Sequence, residues 1–132
     1  MILIVHTEPI PKARARTVVR GGRVMSYTPK ATAEAEAQIR AEIIRQCPSY
    51  STFFDGRPPL SVKMLFVITK PPSVSKKRVY PVTRPDIDNY TKLVMDACNG
   101  YLWADDAQVC RMVAEKVYGQ PPRVEIEVER MP

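Results

Sequence analysis

The segment Arg84-Pro85-Asp86-Ile87-Asp88-Asn89-Tyr90-Thr91-Lys92 sets two carboxylates two positions apart and an ammonium one helical turn further on. In an extended stretch, side chains at i and i+2 point the same way, so Asp86 and Asp88 can converge on one point. If Asp88 opens a helix, Lys92 lies one turn along the same face and Asp96 one turn beyond it. A second acidic pair, Asp105-Asp106, follows Trp103-Ala104 just ahead of a strand-like run. A helix and a returning strand can bring Asp106 beside Asp88. Three carboxylates that meet in space repel one another unless a divalent cation neutralises them. An all-oxygen ligand set of Asp86, Asp88 and Asp106 suits Mg²⁺, with Mn²⁺ as a substitute. Such a site can hydrolyse a phosphodiester, the cation polarising a phosphoryl oxygen and activating water. Lys92 is placed to stabilise the charge that grows in the transition state.

Each of these residues also has a simpler use. Asp86 or Asp88 alone can cap a helix, Lys92 can pair with Asp88 or Asp96, and Asp105-Asp106 can form a turn before a strand. Capping accounts for only one acid, so the combination points toward a site. Tyr101 and Trp103 can stack on a base, or pack beneath the loop as a lid on the core.

The rest of the composition narrows the chemistry. His6 is the only histidine, and Cys47, Cys98 and Cys110 are widely spaced without a CxxC pair. A disulfide framework and a structural zinc site are therefore not expected, and carboxylates with Lys and Arg must carry any catalysis. The net charge of +6 is unevenly spread. Residues 1–30 and 70–85 each carry +5, residues 31–69 balance, and residues 86–132 sum to −4. Basic stretches suit a phosphate backbone and clustered acids suit a hard cation, although either basic stretch alone can be solvated surface. The apolar run Met1–Val5 is too short for a signal-peptide core or a membrane span, so a cytoplasmic protein is expected.

The elements that must position these groups follow from periodicity. A chain of 132 residues with 45% apolar content fits one domain. Ile2–Thr7 does not alternate and reads as a strand buried on both faces. Thr17–Arg20 and Arg23–Tyr27 flank Gly21-Gly22, a hairpin signal. A helix is predicted from about Ala31 to Gln46, with Ala31, Ala35, Ile39 and Ile43 as its apolar stripe. Leu60–Thr69 is the expected central strand, with both faces covered, and Lys70–Pro85 a polar, proline-rich loop. A second helix is predicted from about Ile87 to Asn99, stopped by Asn99-Gly100. Two strands, about Gln108–Tyr118 and Val124–Val128, complete an α+β domain in which two main helices pack on a mixed sheet.

Taken together, Arg84–Lys92, Met95-Asp96-Ala97-Cys98-Asn99-Gly100 and Trp103–Val109 resemble the signature of RusA-type Holliday-junction resolvases, a family of endodeoxyribonucleases common in prophages. Pro11–Arg16 and Tyr27–Lys30 resemble the opening segment of that family. The resemblance implies a homodimeric, Mg²⁺-dependent enzyme that makes paired incisions in four-way DNA junctions during recombination and repair. It places the catalytic and metal-binding carboxylates on Asp86, Asp88 and Asp106 and the active-site lysine on Lys92. An isologous dimer suits a junction of approximate two-fold symmetry. Lys12, Arg14, Arg16 and Lys30, with Lys76, Lys77 and Arg78, are the residues expected to grip DNA. The alternatives are a non-catalytic protein that binds branched DNA, a nuclease of the same chemistry acting on flaps or forks, and an interaction module whose acids merely cap.

Overall fold

The structure is a computed structural model that describes residues 1–13, 16–47 and 51–132, with only the backbone of Arg16 and Ser51. In chain order the elements are β1 (Ile2–Val5), β2 (Arg16–Arg20), β3 (Arg23–Tyr27), α1 (Lys30–Gln46), α2 (Ser51–Phe54), β4 (Leu60–Ile68), α3 (Ile87–Cys98), a 3-10 turn (Asp106–Gln108), β5 (Val109–Tyr118) and β6 (Arg123–Arg130). This is the expected α+β order, with the short α2 added. A four-stranded sheet has the order β1-β6-β4-β5; β4 runs parallel to β5 and antiparallel to β6. Parallel neighbours need a crossover, and α3 supplies it.

Alternation along β4 decides which face is buried. Leu60, Val62, Met64 and Phe66 are buried together with Leu3, Val5, Val124, Ile126 and Val128 of the neighbouring strands. Against that face α3 sets Tyr90, Leu93, Val94 and Ala97, and α1 sets Ala35, Ile39 and Ile43. Phe66 and Tyr90 stack with ring centroids 5.1 Å apart.

Three expectations need correction. Ala31 is exposed, and the buried stripe of α1 is Thr32, Ala35, Glu36, Ile39 and Ile43. A strict four-residue spacing drifts by about 40° per step on a helix of 3.6 residues per turn, so the first member leaves the face. β1 is not buried on both sides either: it is an edge strand paired only with β6, and Ile2 is largely exposed. The far face of β4 is covered only at its end. There Val67 is buried, and a Cβ on Gly119 would stand 2.9 Å from Val67 Cγ1, so only glycine allows that approach. Further back, Ile2, Leu65, Val113, Glu115, Glu125 and Glu127 border a shallow open depression of about 270 Å³.

Outside the main sheet, among the described residues β2 and β3 pair only with each other, joined by Gly21 and Gly22 at φ +56° and +78°. Both glycines occupy the left-handed region that a two-residue hairpin of this kind requires. Among the described residues, no helix is long and apolar enough to cross a membrane.

Candidate active site

Helix α3 organises the acidic residues. Its N-cap position is Asp86, in extended conformation at φ −70° and ψ 149°, and no side-chain capping hydrogen bond is made there. Asp86 and Asp88 are both exposed, and neither carboxylate has an ion-pair or hydrogen-bond partner among the described residues. Capping, the simpler use for these acids, is therefore not what they do. The segment ahead of them is held from behind. Lys116 on β5 donates its ammonium hydrogens to the Thr83 carbonyl at 2.9 Å and the Pro85 carbonyl at 3.0 Å. The Lys12 backbone N–H donates to the Asn89 carbonyl at 2.8 Å, tying the N-terminal segment to the first turn of α3.

One turn along, Lys92 is exposed and its ammonium lies 3.5 Å from Asp96 Oδ2, the i,i+4 pairing open to it from the sequence. Asp96 is shared, because the Lys12 ammonium sits 3.1 Å from the same oxygen and also binds Glu36 of α1. Burial pulls the Lys12 pKa down, but hydrogen bonds to Glu36 and Asp96 and the charges of those two acids outweigh it, so Lys12 ends above the ordinary lysine value. Arg40 of α1 donates to the carbonyls of Asp96 and Ala97 at 3.1 and 3.2 Å and lies over the Tyr101 ring at 4.6 Å. It thereby satisfies carbonyls that the end of α3 would otherwise leave unpaired.

The connection after α3 delivers the last acid. Gly100, at φ +76°, turns the chain, and Trp103 enters the core with 0% exposure. Of the two roles open to the aromatics, Trp103 takes the packing one, and Tyr101 remains exposed beneath Arg40. The indole N–H of Trp103 donates to Asp106 Oδ1 at 2.8 Å, and the Asp106 N–H donates to Asn99 Oδ1 at 3.0 Å. Asp105 plays a different part. Its carboxylate accepts the Ala107 N–H and caps the 3-10 turn, in a capping box with Gln108. Gln108 in turn donates to the carbonyls of Phe53 and Pro58. The adjacent acids thus divide into one that builds the turn and one presented by it. Burial raises the Asp106 pKa above the ordinary aspartate value. The Trp103 hydrogen bond opposes this, the charges of Asp96 and Asp105 add to it, and Lys92 counteracts it.

The acids therefore fall into two groups, toward opposite ends of α3. Asp106 lies within the electrostatic reach of Asp96 and Lys92, while Asp86 and Asp88 stand at the other end of the helix. Among the described residues, no three His, Cys, Asp or Glu side chains are gathered closely enough to hold a metal ion together. The pair Asp86 and Asp88 still offers oxygen donors without other partners among the described residues. Mg²⁺ is commonly bound through only one or two carboxylates, with water and phosphate oxygens filling the remaining positions. By donor chemistry the residues fit such an ion.

The basic residues differ in availability. Lys76, Lys77 and Arg78 are exposed on the loop between β4 and α3, which is tied down by the Tyr118 N–H donating to the Val79 carbonyl. Lys70, Lys76 and Arg78 border an open depression of about 440 Å³. Lys30 makes only a loose pair with Glu34 at 3.7 Å, both side chains well exposed. Lys12 is held by Glu36 and Asp96. Arg14 and the side chain of Arg16 lie outside the described residues.

Sequence reasoning missed Glu36, Arg40, Asn99 and Lys116 as partners of the site. The signal for Glu36 was a charged residue at the i+4 position from Thr32 on the buried face of α1. No comparable signal marked Lys116, whose partners are backbone carbonyls.

Residues 6–129 match the family model described as endodeoxyribonuclease RusA. The chain is also 30% identical, over 135 aligned positions covering 96% of it and 94% of its relative, to the uncharacterized protein YqaN of Bacillus subtilis strain 168. With the match running through every element from β2 to β6, through α3 and both acidic segments, this chain belongs to the RusA endodeoxyribonuclease family.

Proposed function

We propose that this protein is a Mg²⁺-dependent, homodimeric endonuclease that resolves four-way DNA junctions by paired incisions in recombination and repair. The observation that carries the reading is the pair Asp86 and Asp88: two exposed carboxylates at the start of α3 that make no capping bond and no ion pair among the described residues. Acids whose oxygens have no partner among the described residues, on a helix that also presents Lys92, suit a ligand from solution. Asp86 and Asp88 would hold the cation, with Asp106 as the third carboxylate. When bound, the ion supplies Lewis acidity and a water of lowered pKa.

The remaining work falls to the chain itself. Lys92 steadies a non-bridging phosphate oxygen as its charge grows. Lys12 and Lys92 together fix Asp96 on α3, and Trp103 fixes Asp106 in the turn beyond it, so neither charge wanders with solvent. Lys30, Lys76, Lys77 and Arg78 grip the backbone, as would Arg14 and Arg16. Lys12, already bound between two acids, orients Asp96 in this reading. A dimer presents two equivalent sites to the two strands that must be cut.

The test is incubation with an end-labelled four-way junction, with and without Mg²⁺, beside matched duplex, flap and fork substrates. Symmetric nicks in opposing strands, dependent on the cation and favoured on the four-way junction, are expected. Binding without cutting at any cation concentration would leave a branched-DNA-binding protein, and equal cutting of all substrates would remove junction selectivity.

A further inference from the structure

Among the described residues, the β2–β3 hairpin pairs with no other strand. Every residue of β3 is exposed, and Val19 and Val24 are 72% and 73% exposed. A lone two-stranded hairpin is at best marginally stable in water, and apolar patches left open on a surface mark contacts. The register fixes how its side chains sort. Val18 lies opposite Met25 and Arg20 opposite Arg23, so these four share one face with Tyr27, while Val19 and Val24 share the other. The first face borders a depression of about 280 Å³ lined by Val18, Arg20, Met25, Ser26 and Tyr27.

Charge and position identify the occupant. From Pro9 to Ala33 there is no acidic residue, while Lys12, Arg14, Arg16, Arg20, Arg23 and Lys30 all fall in that span. The hairpin springs from the edge of the candidate active site. At its base the Ala13 N–H donates to Thr32 Oγ1 at 3.2 Å, and the adjacent Lys12 binds Asp96, the partner of Lys92. A cationic ribbon with an aromatic and apolar face, rooted beside acids suited to phosphodiester chemistry, fits nucleic acid. Regular duplex shows little base surface to such a face. A branch point does, because stacking is interrupted there.

Resting on the junction-cutting reading, we propose that the β2–β3 hairpin seats on DNA at the branch point, with Arg20 and Arg23 on phosphates and Tyr27, Met25 and Val18 against exposed base faces. The hairpin then selects branched over linear DNA, a choice the acidic residues cannot make. Ribbons of two strands and apolar side chains that enter opened base steps are both established means of holding DNA.

Two variants test this by titration of four-way junction and linear duplex in EDTA, where cutting plays no part. M25S/Y27S is expected to weaken junction binding about tenfold or more, the scale of one lost base–aromatic stack, with a much smaller loss on duplex. It is also expected to abolish the fluorescence rise of a 2-aminopurine placed at the branch point. R20A/R23A is expected to reduce the slope of log affinity against log salt by about 2. Thermal midpoints and sedimentation of the free proteins accompany both. Parent-like junction affinity in M25S/Y27S, or an unchanged salt slope in R20A/R23A, overturns the proposal. So does conversion of a dimer to monomer by either variant, which would make the hairpin a subunit arm seated on the acidic sheet face of a second copy. A parent protein that binds junctions through the hairpin but never cuts them defeats the junction-cutting reading and leaves this one standing; a parent that binds no DNA defeats both.

Discussion

Asp86 and Asp88 at one end of α3 and Asp106 beyond the other are the same side chain in two environments. The first two are exposed with no partner among the described residues, and their position is set through the backbone by Lys116 and by the first turn of the helix. Asp106 is half-buried, receives the Trp103 indole N–H, and has its own N–H taken by Asn99. Its pKa is raised by burial and by neighbouring acids, whereas capping absorbs the adjacent Asp105. One end of the helix keeps acids accessible, and the other holds an acid in place at an electrostatic cost. A shared cation would have to join an exposed pair to a tethered partner.

The largest effect tests whether both ends belong to one site. Asp88→Asn and Asp106→Asn should each abolish cutting of a four-way junction, because a lost ligand removes several kcal/mol of transition-state stabilisation, on the order of a thousandfold in rate. Junction affinity measured in EDTA should stay within a few-fold of the parent. If Asp88→Asn is inactive and Asp106→Asn cuts normally, the tethered acid is structural and the two ends are unrelated.

A smaller effect separates accessibility from positioning. Lys116 touches no acid; its ammonium holds two carbonyls just ahead of Asp86. Lys116→Met keeps the stem and removes both donors. A supporting group of this kind is worth about tenfold or somewhat more in metal affinity or rate. The expected signature is a higher Mg²⁺ concentration for half-maximal cutting, with rate partly restored at saturating Mg²⁺. A rate loss that Mg²⁺ does not relieve would place Lys116 outside the positioning of Asp86 and Asp88.

The difference between the two ends also explains what a sequence reveals and what it hides. The spacing DxDN, the Lys one turn on and the later acidic pair are visible because they are local patterns with a period. So are the Gly21-Gly22 hairpin and the stop at Asn99-Gly100, where backbone conformation restricts the residue type. The stripe of α1 misleads at Ala31 because a four-residue spacing departs from the 3.6 that governs a helix. The far side of β4 misleads because Leu65 and Val67 alternate like covered residues, yet Val67 is buried under Gly119 while Leu65 borders an open depression. Arg40 and Lys116 are not legible, and Glu36 shows only as a charge on the buried stripe of α1, without its partner. Each acts on a group from a different element, and no period links an ammonium to a carbonyl across a sheet.

The smallest effect lies in stability, and there the two ends should differ in sign. An acid whose folded-state pKa is raised weakens the fold when ionised. That penalty is absent below the ordinary aspartate value of about 3.9, grows as pH rises past it, and is complete above the folded-state value. Asp106→Asn removes the charge while an amide oxygen still accepts from Trp103. At pH 7, without divalent cation, it should therefore raise the thermal midpoint, by no more than a few degrees since Asp106 is partly in solvent, a scale of about 1 kcal/mol. At pH 3 parent and variant should melt together. Asp88→Asn should instead lower the midpoint slightly at pH 7, because a carboxylate in the first turn interacts favourably with the helix dipole by a few tenths of a kcal/mol. Melting curves for the three proteins across pH 3–7 check both signs. If Asp106→Asn is destabilising at pH 7, the hydrogen bond from Trp103 outweighs burial, and the tethered end is held by attraction rather than against repulsion.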